Sequence, residues 1–272
     1  MLIYDIFLLV IKLVEEMKDL LKEFKKIANK KWIKSISNSF GSIGVTFEKE
    51  LKKSLDALYF PDYEGIELKC TSRYSNYPLY LFTLAFDGPT YPEINRIVEL
   101  YGAPDKDFGE KKVLFVKLNT KDLNKANSDF KFKIEVDKNE EKLYVLVYNM
   151  DNMLIERKSF VYFDSIRNHL ILKLSNLAVI YASKKKFNDS VYFRYYKIAI
   201  YKLLNFNIFF SLLDEGIINL DLISRISKSG LDKGRYRNKN LVFNIYKRNI
   251  SRLFRRIYEY NFDTKEYKGT LK

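Results

Sequence analysis

"FPDYEGIELKC", residues 60–70, is the stretch on which the reading of the chain turns. A proline–aspartate pair opens it, and a Glu-x-Lys pair interrupts its apolar run. Side chains two apart along a strand point the same way. Glu67 and Lys69 therefore share one face, and Ile66, Leu68 and Cys70 share the other. Asp62 stands before the turn for which Pro61 and Gly65 are suited. A bent strand pair could bring its carboxylate beside Glu67. Either this is a surface hairpin with charges facing water, or two acids and a lysine converge on a site. The short pattern is a weak signal alone, so the rest of the chain has to weigh it.

Composition narrows the choice. The 272 residues are 47% hydrophobic and 16% aromatic, with 48 Lys+Arg against 34 Asp+Glu and a net charge of +14. Such a chain can bury a real core. Its positive excess favours a polyanionic partner, nucleic acid before an anionic membrane. The lone cysteine, Cys70, excludes an intrachain disulfide and a cysteine zinc site, and suits a reducing, cytoplasmic setting. The lone histidine, His169, argues against a histidine-based triad or metal cluster. A metal would have to be held by oxygen, which suits Mg²⁺. Two carboxylates can hold one or two such ions, with Mn²⁺ able to substitute, and a lysine beside them can orient water and phosphate. Asp62, Glu67 and Lys69 then suit phosphodiester hydrolysis. Glu48, on the preceding helix beside its apolar face, is a candidate third acid; the plainer reading pairs it with Lys52 one helical turn on.

Hydrophobic periodicity orders the elements. "MLIYDIFLLVIKLV" (1–14) is interrupted by Asp5 and Lys12, lacks the marks of a targeting segment and is too short to span a bilayer. With Met17, Leu20, Leu21 and Phe24 it continues as one long amphipathic helix. A second helix shows Phe47, Leu51, Leu55 and Leu58 on one face. Strands are expected at 65–70, 77–86 and 111–119, and a β-meander at 130–163. A short helix lies between prolines near 89–105. Beyond these, helices are expected near 164–175 and 205–215, and strands near 177–183, 191–200 and 217–227. A loop over 227–240, the strand "LVFNIY" and a closing helix "RNISRLFRRIYEY" complete a mixed α/β fold with a central sheet. In that last helix Leu253, Phe254 and Ile257 would pack inward and Arg252, Arg255 and Arg256 outward.

Charge is uneven along the chain. Residues 222–256 hold eleven Lys or Arg and one acid, Asp232. Basic side chains on a hairpin with an aromatic among them can contact phosphates and base edges. The candidates are Arg225, Lys228, Lys233, Arg235, Tyr236, Arg237, Asn238 and Lys239.

"GSIGVTFEKEL" and "FPDYEGIELKC" together resemble the Gly-x-x-Gly-x-x-x-Glu … Pro-Asp … Gly-Ile-Glu-Leu-Lys pattern of the MutH-like branch of PD-(D/E)xK nucleases. Within it the likeness is to the MvaI/BcnI family of type II restriction endonucleases. It continues through "LFTLAFDGP", "LYGAPDKDFGEKKVLFVKLNT" and "SLLDEGIINLDLISRISKSGLDKGRYRNKNLVFNIYKRNISRLF", covering about residues 40 to 255. The resemblance implies a mixed sheet flanked by helices, in two lobes around a DNA cleft, often as a monomer or at most a weak dimer. It implies Mg²⁺-dependent cleavage of double-stranded DNA at a short specific sequence, with a DNA methyltransferase as genetic partner. It puts the active-site acids and lysine on Asp62, Glu67 and Lys69, with Glu48 as the helix acid. Residues 1–125 are expected to carry catalysis and 126–272 most of recognition. Family members often carry a His-Asp-His-Gly-Thr-like stretch before the last strand; here Arg237, Asn238, Lys239, Asn240 and Leu241 stand there, which implies a different target sequence. Two rivals remain: a MutH-like nicking repair enzyme, and a DNA-binding protein without activity.

Overall fold

The computed structural model describes residues 2–37, 41–51 and 61–269, with the backbone alone for 2–10. Lys52, Leu55, Leu58 and Phe60 lie outside the described residues. In chain order the elements are α1 (Leu2–Asn29), β1 (Ile33–Lys34), α2 (Ser42–Glu50), β2 (Glu67–Ser72), β3 (Leu79–Leu84), α3 (Glu93–Tyr101), β4 (Ala103–Pro104) and β5 (Lys112–Leu118). Then come β6 (Asn124–Lys125), β7 (Phe130–Asp137), β8 (Lys142–Asn149), β9 (Leu154–Tyr162), α4 (Phe163–Leu174), β10 (Asn176–Phe187) and β11 (Ser190–Leu203). Last are α5 (Phe206–Asp214), β12 (Ile218–Ile226), β13 (Tyr236–Ile245), α6 (Ile250–Leu253), β14 (Phe254–Asn261) and β15 (Tyr267–Gly269).

These elements group into two compact units, each discontinuous in sequence. The first gathers Met1–Tyr77, Leu170–Leu204 and Phe254–Lys272; the second gathers Pro78–His169 and Asn205–Leu253. The chain is thus interleaved, and a single cut near residue 125 does not separate the units.

The first unit is built on the sheet β15-β14-β11-β10-β2, with β1 added to β11. β2 runs parallel to β10, with Glu67 opposite Leu177 and Lys69 opposite Val179, while the other pairs are antiparallel. The amphipathic pattern of α1 has its cause here. Met17, Leu20, Phe24 and Ile27 are buried against Ile66 and Leu68 of the β2 segment and against Ala178 and Ile180 of β10. Phe47 of α2 is fully buried between Phe24 and Tyr195, with ring centroids 6.4 and 5.0 Å away. The Tyr195 hydroxyl donates to the Ile43 carbonyl at 2.8 Å and ties α2 to β11.

The second unit holds the sheet β3-β13-β12-β5-β4 and the meander β6-β7-β8-β9. Phe82 and Phe243 stack at 4.6 Å in its core. Arg96 of α3 bonds both Glu93 and Glu156, and Ser159 and Tyr101 close the network at 2.6 and 2.8 Å. Buried charges persist where every partner is present.

Two expectations give way. The closing helix survives only as a short turn and α6; from Phe254 the chain is strand β14, paired with β11. Phe254, Ile257, Tyr258 and Tyr260 suit a half-buried pleated surface, and pairing with β11 overrides their helical spacing. Arg252, Arg255 and Arg256 do face outward, and Leu253 and Phe254 are buried. The loop expected over 227–240 is shorter, because β13 starts at Tyr236. Removing the Phe47 ring is expected to cost about 3–5 kcal/mol. Phe47→Ala should lower the urea midpoint with the slope unchanged; an unshifted midpoint would contradict the packing described.

Candidate active site

The turn at Tyr63–Ile66 builds the site. The Tyr63 and Ile66 backbones exchange hydrogen bonds of 2.9 and 2.7 Å. Between them Glu64 and Gly65 both have positive φ, 40° and 86°. This is the backbone of a two-residue hairpin turn, for which glycine is suited. The reversal lets Asp62 Oδ2 accept from the Leu68 N–H at 3.0 Å. Asp62 is thereby held next to the start of β2, beside Glu67.

Glu67 is 1% exposed. Lys69 Nζ donates to its Oε1 at 2.5 Å, as the shared strand face requires. Burial pushes the Glu67 carboxyl above the usual glutamate range. Lys69 opposes the rise and the charge of Asp62 adds to it. A second ammonium, Lys173 of α4, lies 3.8 Å from the same oxygen. Glu67 Oε2 is buried with no hydrogen-bond partner. A buried anionic oxygen left unpaired is costly, and a cation would satisfy it.

The oxygen chemistry here fits Mg²⁺, which binds one or two carboxylates and completes its shell with waters and substrate phosphate. Asp62 and Glu67 would hold it. Among the described residues no group of three or more His, Cys, Asp and Glu lies within metal-binding range, so other oxygens must complete such a shell. Glu48 is partly buried on α2. Its charge, with that of Asp62, adds to the burial that pushes the Cys70 thiol well up. The charges acting most on Glu67 are instead those of Lys69, Asp62 and Lys173. Cys70 packs against the core of the first unit. Lys173 went unnoticed in the sequence because no short motif links it to Glu67.

The basic candidates lie in the second unit. Arg225 of β12 and Arg237 of β13 stand directly opposite each other and are exposed. The Arg225 guanidinium lies 5.2 Å from the Phe115 ring centroid. Lys228 is taken up by Asp105 and by Asp107 at 2.9 Å, and Arg235 pairs with Asp232 at 3.2 Å. Asn238 accepts from Ser224 Oγ at 2.6 Å and donates to Asn95 at 2.9 Å. Lys233, Tyr236 and Lys239 are exposed.

A family model described as the MvaI/BcnI restriction endonuclease family matches residues 21–254. A solved complex of the restriction endonuclease MvaI with cognate DNA superposes with a TM-score of 0.84 at 24% identity, covering 93% of this chain and 98% of that one. MvaI in the absence of DNA gives 0.56 at 24% identity, over 89% and 96%. A comparison with curated protein sequences finds no match. Among the described residues no helix is long and apolar enough to cross a membrane.

Forcing a Cβ onto positive φ costs about 1–2 kcal/mol. At Gly65 the nearest atom would be Glu16 Oε2 at an ordinary 3.5 Å, so the cost is conformational rather than steric. Gly65→Ala is expected to lower the melting temperature and weaken Mn²⁺ binding, read by calorimetry; unchanged values for both would show that the turn does not set Asp62.

Proposed function

The chain belongs to the MvaI/BcnI restriction endonuclease family, and from that premise we propose a chemistry and a set of residues for it. The protein hydrolyses phosphodiester bonds of double-stranded DNA at a short specific sequence, as a type II restriction endonuclease. Asp62 and Glu67 hold Mg²⁺, Lys69 positions the attacking water and the scissile phosphate, and Glu48 assists. The observation that carries this reading is the corner itself: a buried carboxylate with one oxygen on Lys69 and the other unpartnered, beside a second acid.

Each residue has a separable task. Asp62, pinned to the Leu68 amide, is held against rotation toward solvent. Glu67, fixed by burial, presents Oε2 without rearrangement. Lys69 keeps its ammonium at the carboxylate until phosphate arrives, and its stem stays on strand β2. When bound, Mg²⁺ supplies Lewis-acid stabilisation of charge on the phosphate and lowers the pKa of a water. In the reaction a water oxygen bonds to phosphorus, the bond to the leaving sugar oxygen breaks, and the water's proton passes to solvent or to that oxygen.

For recognition, the β12–β13 hairpin is the favoured element. Like charges directly opposite across a ladder are unfavourable, and phosphate or an acceptor-rich base edge between Arg225 and Arg237 would offset that. Lys233, Tyr236 and Lys239 extend the same basic hairpin. Arg235 is free to exchange Asp232 for phosphate at the surface, where such pairs are weak. Lys228 and Asn238 serve first as internal ties, to Asp105 and Asp107 and to Ser224 and Asn95. The division of labour then follows the two compact units rather than residue 125, with catalysis in the first and recognition in the second. The protein acts alone, as a monomer or weak dimer, with a cognate methyltransferase protecting host DNA.

Incubating the purified protein with a large viral DNA and Mg²⁺ is expected to give discrete linear fragments whose ends share one sequence. Asp62→Ala and Lys69→Ala should keep DNA binding and lose cleavage by about 10²-fold or more. Cutting at the wild-type rate by either variant would remove these residues from the site. Nicked circles alone from a supercoiled plasmid would favour the repair-type nicking enzyme, and no product from mixed-sequence DNA would favour a binding protein.

The raised pKa of Glu67 gives a pH dependence whose sign can be worked out. Its folded value lies above its unfolded one, so its contribution to stability falls as pH rises through the two. Metal binding runs the other way, since a protonated Glu67 cannot hold a cation. Mn²⁺ affinity and cleavage should fail, on acidification, at a higher pH than an ordinary exposed glutamate would give. Glu67→Gln should abolish this pH step in Mn²⁺ titrations.

A further inference from the structure

The sheet face that carries Glu67 and Lys69 does not end at the candidate site. Register follows it along the first unit. Val179 lies opposite Lys69, and Tyr181 lies opposite both Thr71 and Lys197. Past the bulge that follows Tyr181, Lys185 pairs with Tyr192, and Tyr192 pairs with Lys34 of β1. Ile180, Ala182 and Phe193 alternate with these residues and join the core on the other face. One face of one sheet therefore runs from Glu67 and Lys69 to the end of the β10–β11 hairpin. Asn188 and Asp189, both at positive φ, 41° and 58°, close that hairpin in two residues and hold its strands in register.

The far end of this face is basic and aromatic. The Lys185 ammonium sits 4.3 Å from the Trp32 ring centroid and 5.8 Å from that of Tyr192. Arg73, just past the end of β2, lies 5.6 Å from the Tyr74 ring and 5.8 Å from the Tyr196 ring. Trp32, Lys34, Arg73 and Lys185 are exposed. Neighbouring cations are spent inside the fold: Arg194 on Asp263, Lys197 on Glu259 at 3.7 Å and Lys186 on Asp189 at 2.9 Å. Lys185 and Arg73 instead rest on rings. A ring holds an exposed cation weakly, so its charge stays available to an anion.

We propose that this end of the sheet, through Lys34, Arg73 and Lys185, binds the sugar–phosphate backbone of duplex DNA flanking the recognition sequence, on one side of the cut. The inference rests on the reading of Asp62, Glu67 and Lys69 as the nuclease centre, which fixes where the cut strand lies. Val179 to Lys185 of β10 spans about 20 Å at about 3.3 Å per residue. A duplex rises about 3.4 Å per base pair, so one lying along this face meets Lys185 about six base pairs from the scissile phosphate. That is outside a short site, and contacts there position the protein without reading sequence. Charge complementarity selects the occupant. The unspent cations fit a polyanion, whereas a second copy of this chain carries +14 and is repelled.

Trp32 is the only tryptophan in the chain, so its emission reports on this patch alone. The intact protein is titrated in Ca²⁺ with a mixed-sequence duplex of about 30 base pairs, long enough to cover site and flank together. Bound duplex is expected to shield Trp32 from quenching by acrylamide. The double variant Lys34→Ala, Lys185→Ala should keep its melting temperature and lower the slope of log affinity against log salt by about 1.8, two phosphates at about 0.9 each. Unchanged quenching in the wild type, or an unchanged slope in the variant, overturns the proposal. Shielding of Trp32 that grows with protein concentration in the absence of DNA would place a second copy there and also overturns it. A third arm uses viral fragments that the wild type cuts. Trimming one flank to about four base pairs from the cut should weaken wild-type binding and leave the variant unaffected; equal losses in both proteins overturn the placement. If the wild type cuts no DNA, the nuclease reading fails, while quenching and salt slope still decide whether the patch holds duplex.

Discussion

A glutamate removed almost wholly from water, yet in contact with an ammonium at 2.5 Å, is the constraint on which the first unit depends. Desolvation disfavours the charged form, and the lysine restores part of what burial takes away. The position is tolerated because β2 is fixed on both sides. On one face Ile66 and Leu68 are locked into the core, and along its edge β10 pairs in parallel from Leu177 onward. Slipping the strand by one residue would turn Glu67 into the core and Leu68 out. The register that satisfies the apolar face also presents the acid and the lysine on the other.

The turn before the strand adds the second acid. Its two positive-φ residues let the chain reverse within two positions, and the Leu68 amide then captures Asp62. A flexible loop would leave the carboxylates to repel each other apart. A tight turn makes their proximity part of the fold, and the charge of Asp62 adds to the burial that raises the Glu67 carboxyl. A perturbed carboxyl with a buried, unpartnered oxygen is what makes this corner the candidate site.

The basic hairpin follows a different rule. Its cations are not equally available: Lys228 is held by two aspartates, while Arg225 and Arg237 face each other across the ladder. The net charge of +14 draws DNA to the protein without sequence preference. Selectivity depends on which donors remain unspent inside the fold, and a charge count along the chain does not show that. Arg237 and Lys239, both exposed on this hairpin, are the proposed positions for that choice.

Much of this was legible in the sequence because its causes are local. The period-two alternation around Glu67 and Lys69, the glycine at the turn, the meander at 130–163 and the apolar stripe of α1 all follow from backbone geometry acting over a few residues. The sequence by itself determined which side chains share the face of β2 and that any metal there is held by oxygen. Tertiary structure alone decided the rest. It brought Lys173 to Glu67 and Asn176 to the Gly65 carbonyl, made Phe254–Asn261 a strand on β11, and gave Lys228 to Asp105. Each of these is settled by a partner remote in the chain, and a sequence read locally carries spacing but not the long-range pairing that selects the partner.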